Sequence, residues 1–402
     1  MPLQSQRVLN VIDLLKLFGV FLRLGLTCFG GPIAHLGYFR AEFVVRRAWL
    51  TDSAYADLVA LCQFLPGPAS SQVSMAVGLM RAGLPGLCLA FIGFTLPSAV
   101  LMVTFALMLD RVGGLGGAGW VAGLKAAAVA VVCHAVLGMA RSLCMEKRTT
   151  SIALCAAILA VCLPGSGGQL LAIALGALAG YVLLHAVTGA AGDPFPPLGI
   201  SRRMAVGALA LFAAGLLLLP LAAQLSQSGG WDLAERFFRA GSLVFGGGHV
   251  VLPLLDAETV GTGLVSKDAF LAGYGAAQAM PGPLFTFAAF LGAVAQRPPS
   301  GITGASIALL AIFAPSALLV VGAVPFWERL RAAPAARRLL AGVNAAVVGL
   351  LGAALWTVVL PEGVTGPYAF ALAVACYLGL AVWRMPAWAV VVLAAAAGAL
   401  VL

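Results

Sequence analysis

Two tripeptides in this sequence have the residue types and the placement to bind an anion: Pro66-Gly67-Pro68 and Pro281-Gly282-Pro283, each inside an otherwise continuous apolar run. Proline cannot donate to a helix ladder and glycine reaches dihedrals that other residues avoid, so each tripeptide breaks its helix. A helix restarting at Pro68 leaves the N–H groups of Ala69, Ser70 and Ser71 without internal partners. The positive end of the helix dipole lies beside them, which suits an anion. Ser70, Ser71 and Gln72 add side-chain donors on the same turn, and the second copy keeps a hydroxyl at Thr286, the position matching Ser71. The competing reading is a kink packed by its neighbours; a symmetric pair favours the site.

Arg23 and Arg239 are the second feature, each six residues before a Phe-Gly-Gly triplet and each within an apolar segment. An arginine there costs at least ~2.5 to 3.5 kcal/mol on insertion scales. Its planar fork matches two oxygens of a tetrahedral oxyanion, so the pair could offset a divalent substrate. Snorkelling to the headgroups is the alternative. Gly30 and Gly31, echoed by Gly246 and Gly247, allow close backbone approach to a ligand, or equally tight helix packing. His35 and His249 follow the two triplets and could couple transport to protons, although a structural role competes. Lys125 is a weaker ligand candidate, since Asn344 replaces it in the second copy.

The elements that must position these residues are membrane helices. Of 402 residues 62% are hydrophobic and 9% charged, with a mean hydropathy of +1.05; a soluble protein of this size does not have that composition. Apolar runs of about 20 residues suffice to cross a bilayer. Candidate spans fall near 9–38, 53–80, 86–109, 120–143, 151–163 and 167–188, then 204–225, then 234–255, 268–296, 301–325, 339–360, 366–383 and 386–402.

The sequence is internally duplicated. Phe21 to Pro32 (FLRLGLTCFGGP) returns as Phe237 to Gly248 (FFRAGSLVFGGG), Trp49 to Tyr55 as Leu264 to Phe270, Gln63 to Pro68 as Gln278 to Pro283, and Pro97-Ser98-Ala99 as Pro315-Ser316-Ala317. The expected fold is therefore an all-α polytopic membrane protein of two homologous multi-helix repeats with proline-broken helices. Residues 1–190 form the first repeat, 191–230 a linker with one connecting helix, and 231–402 the second repeat. A single connecting helix between units of six crossings makes the repeat inverted. Arg7, Arg81, Arg141, Lys147, Arg148, Arg202, Arg203, the arginines from Arg329 to Arg338, and Arg384 then share the inner face, as the positive-inside rule requires. Two segments disagree: Arg40, Arg46 and Arg47 fall outside, and Asp256, Glu258 and Asp268 inside, so either these stretches are re-entrant or the crossing number differs.

Several function classes are excluded. The net charge of +9 is scattered between apolar segments and forms no stripe for nucleic acid. The first apolar stretch carries Asp13, Lys16 and Arg23 and no cleavage site, so it reads as a retained helix. Eight cysteines without a Cys-x-x-Cys pair read as small buried hydrophobes, the four histidines form no metal cluster, and no phosphate-binding loop indicates an ATP-driven pump. No cofactor is expected.

Phe29-Gly30-Gly31-Pro32 with His35, Trp49-Leu50, Leu65-Pro66-Gly67-Pro68 with Gln72, Gly83-x-x-Gly86 and Leu96-Pro97-Ser98, with their echoes, resemble the chromate ion transporter family in its long, two-domain form. The resemblance spans nearly the whole chain. It implies a non-enzymatic secondary transporter of the bacterial inner membrane that exports chromate and confers resistance, with sulfate as an analogue that competes or is exchanged. The signature residues carried here are Arg23, Phe29, Gly30, Gly31, Pro32, Pro66, Gly67 and Pro68. Gly248 in place of Pro32, and Phe287 in place of Gln72, depart from the first half's pattern and set the halves apart in role. The partners expected are chromate, sulfate, the lipid bilayer and a second copy of the chain in a homodimer. A sulfate importer and a passive anion channel are the alternatives, and a membrane oxyanion reductase using Cys28 and Cys62 is a remote one.

Overall fold

The computed structural model describes residues 11–111, 119–184, 200–226, 228–245, 248–327 and 333–402, and among them the chain is helical with no strand. The first repeat comprises α1 (Val11–Thr27), α2 (Gly31–Arg40, continued by a π-helical turn Ala41–Arg46), α3 (Asp52–Phe64), α4 (Ala69–Arg111), α5 (Gly119–Leu143), α6 (Lys147–Cys162) and α7 (Ser166–Leu183). The connecting helix is α8 (Arg202–Ser226). The second repeat comprises α9 (Gly229–Leu243), α10 (Val251–Leu255, continued by Asp256–Val260), α11 (Lys267–Ala279), α12 (Phe287–Ala293, led by the 3-10 turn Leu284–Thr286) and α13 (Gly301–Ala323). It ends with α14 (Pro334–Ala354, extended by Leu355–Val359 and Leu360–Gly363), α15 (Pro367–Ala381) and α16 (Ala387–Val401).

Six helices among the described residues are long and apolar enough to cross a membrane: Ala69–Leu109, Gly119–Leu143, Ser166–Leu183, Arg202–Ser226, Gly301–Phe326 and Pro334–Gly363. The span expected over 9–38 is instead two helices, because Gly30 (φ 95°) and Gly31 (φ 76°) turn the chain between α1 and α2. At 1.5 Å per residue the 17 residues of α1 reach ~26 Å, short of a ~30 Å hydrocarbon core. Phe21 of α1 packs on Phe43 at the end of α2, with centroids 5.6 Å apart. The expected spans 53–80 and 268–296 break at the two Pro-Gly-Pro sequences. The arm of α4 after the first break continues into 84–111 through non-helical Ala82 and Gly83.

The duplication is visible in local chemistry. Thr51 caps α3 by accepting from the Ala54 N–H, and Ser266 caps α11 by accepting from the Ala269 N–H, each worth about 1 kcal/mol. Both 13-residue helices then end on an extended residue, Leu65 or Met280, before the tripeptide.

Helix pairs are exchanged between repeats. The α6–α7 hairpin packs on α14 of the second repeat, and the α15–α16 pair packs on α5 of the first. Close approaches set the direction. A Cβ on Gly180 would lie 2.4 Å from the Arg338 carbonyl and one on Gly176 2.5 Å from the Ala346 Cβ, so α7 and α14 run antiparallel. Gly119 against Gly398, and Gly123 against Ala394, give the same sense for α5 and α16. Since α5, α6 and α7 alternate in direction, α14 opposes its counterpart α5, and the repeats are inverted. The largest buried cluster, containing Phe21, Phe39, Phe94, Phe237, Phe287 and Phe313, joins the halves. The connecting α8 leaves Leu211, Leu217 and Leu225 exposed, as a lipid-facing helix would.

Candidate functional site

After α3 the chain enters Pro66-Gly67-Pro68 with Gly67 at φ 122°, a region that strains any residue with a Cβ. The Gly67 N–H donates to the carbonyl of Val244, the cap of α9, at 2.7 Å. Gln72 is the first residue of α4 whose N–H finds an intrahelical acceptor, the Pro68 carbonyl at 2.9 Å. The N–H groups of Ala69, Ser70 and Ser71 are thus the free donors of a helix start. Side chains close around them. Gln72 Nε2 donates to the Pro66 carbonyl at 2.6 Å, and Ser70 Oγ lies 3.3 Å from His35 Nδ1. His35 is held edge-on to Phe94, with centroids 5.5 Å apart.

This helix start is deeply buried and only partly satisfied. Ser71 Oγ and Gln72 Oε1 are buried without a hydrogen-bond partner, on residues no more than 1% exposed. Unpaired buried polar atoms cost about 1 to 3 kcal/mol each, and native proteins hold few of them. A third comes from the other repeat: Ser316 of α13 is fully buried and unpartnered. The position a Gly67 Cβ would take lies 2.4 Å from Ser316 Oγ and 2.7 Å from Gln72 Nε2.

The second tripeptide is built alike but finished differently. Gly282 (φ 92°) donates its N–H to the Cys28 carbonyl at the end of α1, at 2.8 Å. Thr286 Oγ1 bonds Ser98 Oγ at 2.6 Å and the Pro283 carbonyl at 2.8 Å. Leu284, Phe285 and Phe287 stand where the first repeat has Ala69, Ser70 and Gln72, and all three are buried. Of the polar first turn of α4, this copy retains only a hydroxyl that is already bonded.

The two arginines are met by carboxylates. Arg239 forks onto Glu258, Nε to Oε1 at 3.1 Å and Nη2 to Oε2 at 2.6 Å, while its Nη1 lies 2.6 Å from Glu235 Oε1. Arg23 is 59% exposed and stands 4.0 Å from Glu42, which already holds Arg46 at 3.1 Å and Arg47 at 2.6 Å. Glu42 and Glu258 occupy the same position in the two repeats. Most of the charges that disagree with the positive-inside rule are therefore compensated locally, Arg46 and Arg47 by Glu42, Arg40 by Asp52 at 2.6 Å, Glu258 by Arg239 and Asp268 by Lys125, whereas Asp256 has no ion-pair partner among the described residues.

His249 is set apart from His35 in its contacts, with Nδ1 2.8 Å from the Tyr274 hydroxyl. Lys125 forms an ion pair with Asp268 in the first turn of α11. Gly246 and Gly247, with Arg7, Arg329 and Arg331, lie outside the described residues. The structure thus brings together Pro66, Gly67, Pro68, Ser70, Ser71, Gln72 and His35, and adds Ser316. It places Pro281, Gly282, Pro283 and Thr286 around Ser98. Sequence reasoning missed the carboxylates and the Ser316 hydroxyl. The available signals were a glutamate nineteen residues after each arginine and a serine inside each of two apolar helices.

Comparison with known proteins agrees with the duplication. The family model described as Chromate transporter matches residues 15–181 and again 231–399. The chain is 31% identical over 353 residues to the "Chromate transport protein" of Pseudomonas aeruginosa, covering 84% of this chain and 79% of that one. It is 28% identical over 352 residues to the "Probable chromate transport protein" of Synechococcus elongatus, covering 85% and 84%. Over 344 residues it is 26% identical to the "Chromate transport protein" of Cupriavidus metallidurans, covering 83% and 80%. No solved structure matches at a significant level.

Proposed function

The chain belongs to the chromate transporter family, and from that membership we propose that it is a secondary transporter that exports chromate across the bacterial inner membrane and so confers resistance. The observation that carries the site is the buried start of α4, where the N–H groups of residues 69–71 and the atoms Ser71 Oγ and Gln72 Oε1 have no protein partner. Backbone amides and hydroxyls at a helix N-terminus suit a tetrahedral dianion. The cluster contains no fixed cation, so it would bind the ion by dipoles and neutral donors. Such a site holds an anion firmly enough to admit it and loosely enough to release it.

Arg23, with more than half of its side chain exposed and only a distant carboxylate, draws the anion toward this site. Arg239, forked onto Glu258, braces the second repeat. His35 adjoins the site and is the stronger of the two histidines for proton coupling. Sulfate, with the same charge and shape as chromate, competes. Expelling a dianion from a negative interior gains ~4.6 kcal/mol per 100 mV, so the membrane potential suffices as driving force. Inversion of the repeats supports alternating access, in which one repeat rocks against the other.

Purified protein in proteoliposomes at set potential and pH gradient tests this reading, with labelled chromate, sulfate and molybdate as solutes. Chromate accumulating on the positive side without ATP, with sulfate competing, is the expected result. Sulfate movement that chromate does not inhibit, or chromate flux independent of the protein, would overturn it.

A further inference from the structure

We propose that the protein binds oxyanion at one site, not two, and that Ser316 of the second repeat completes it, while the second Pro-Gly-Pro sequence is a locked copy that serves as a structural joint. The inference rests on the functional reading above and assigns that site its stoichiometry and a ligand residue from the other half of the molecule.

The repeat relates Ser71 to Thr286 and Ser316 to Ser98, so each tripeptide is flanked by one hydroxyl on the helix it opens and one on a long helix of the opposite repeat. In the second copy these hydroxyls bond each other: Ser98 Oγ and Thr286 Oγ1 are 2.6 Å apart, and Thr286 also donates within its own turn. In the first copy the same two positions, Ser316 and Ser71, are both buried and both unpartnered. A serine inside a helix ordinarily bonds the carbonyl four residues back. Ser242, Ser306 and Ser142 do so here, and Ser316 does not.

Ser316 Oγ lies beside Gly67, on the side that also holds the Gln72 amide. It therefore faces the start of a helix arm of thirteen residues, 69–81, with free N–H donors. The second copy offers no comparable start: a 3-10 turn leads into the seven-residue α12, its first side chains are apolar, and its hydroxyl is taken. A ligand bound between the α4 start and α13 touches both repeats at once. Movement of one repeat against the other then opens or closes the site, which a site inside a single repeat would not provide.

Equilibrium binding of labelled sulfate and labelled chromate to the detergent-purified protein is the test, on the wild type and on Ser316→Ala, Ser316→Thr and Ser98→Ala. One oxyanion per chain is expected. Ser316→Ala should weaken binding by at least about tenfold, the loss of one hydrogen bond to a charged ligand. Ser316→Thr should restore most of the affinity, and Ser98→Ala should lower the melting temperature while leaving affinity unchanged. Two equivalent sites per chain in the wild type would overturn the inference whatever the variants do, as would a folded Ser316→Ala with wild-type affinity. A wild type that binds neither anion removes the functional reading and the inference with it; wild-type binding without dependence on Ser316 removes only the inference.

Discussion

Gly67 donates its N–H to the Val244 carbonyl across 2.7 Å, tying the broken helix of the first repeat to the end of the arginine helix of the second. Gly282 makes the reciprocal bond to Cys28 at 2.8 Å. The two tripeptides are thus both the breaks in their own helices and the points where the repeats hold each other.

That geometry separates the effects of two like substitutions. Both glycines have positive φ, so alanine at either costs about 1 to 2 kcal/mol in backbone strain. At Gly67 the new methyl would also lie 2.4 Å from Ser316 Oγ and 2.7 Å from Gln72 Nε2, whereas at Gly282 the nearest atom is 3.1 Å away. Both variants are expected to lose thermal stability, Gly67→Ala at least as much as Gly282→Ala, but Gly67→Ala to abolish chromate flux and Gly282→Ala to retain it measurably. Melting curves beside initial rates in proteoliposomes read both, and equal flux in the two variants would count against the first tripeptide as the site.

The arginines should divide in the same way. Arg239→Ala strips the shared counterion from Glu235 and Glu258, both nearly buried, at ~3 kcal/mol or more. The amount of folded protein in the membrane should fall, and adding Glu258→Gln should recover part of it. Arg23→Ala removes a largely exposed side chain, so expression is expected to hold while KM for chromate rises severalfold. Quantitative blotting alongside transport distinguishes the two, and a normal KM for Arg23→Ala would remove it from the anion's route.

Lys125→Ala should act on stability alone. Its partner Asp268 lies in the first turn of α11, where a carboxylate already interacts favourably with the helix dipole. The loss is therefore expected to be about 1 kcal/mol, with KM unchanged. A substantial change in KM would place Lys125 on the pathway.

What the sequence made legible follows from how local the chemistry is. Proline and glycine act on their own backbone, so the breaks at 66–68 and 281–283, and the hydroxyls just after them, were readable without a fold. Arg23 and Arg239 were readable as costly residues, but their partners were not. Glu42 comes within reach of Arg23 because the chain turns at Gly30 and Gly31, and Glu258 meets Arg239 from the turn Asp256–Val260 that follows α10; from sequence alone Glu258 read as a misplaced charge. Ser316 was hidden for a different reason: a serine in an apolar helix normally satisfies itself, and only its packing beside Gly67 shows that it does not.

The exchange of helix pairs was equally beyond periodicity, because a duplication says that two units are alike and not which unit each hairpin packs on. It carries a consequence for folding. With α6 and α7 seated on α14, and α15 and α16 on α5, each repeat alone leaves the apolar faces of these helices uncovered. Fragments 1–199 and 200–402 expressed separately are therefore expected to be degraded, and expressed together to accumulate and transport. The seat is close enough to be tested by one side chain: a Cβ on Gly342 would lie 2.1 Å from the Gly176 carbonyl, and backbone cannot yield as a flexible side chain does. Gly342→Leu should then block recovery from co-expressed fragments more severely than it impairs the intact chain, where the linker keeps the halves together at high effective concentration. Stable accumulation of either fragment by itself would show that the repeats fold independently and that the exchange is not required.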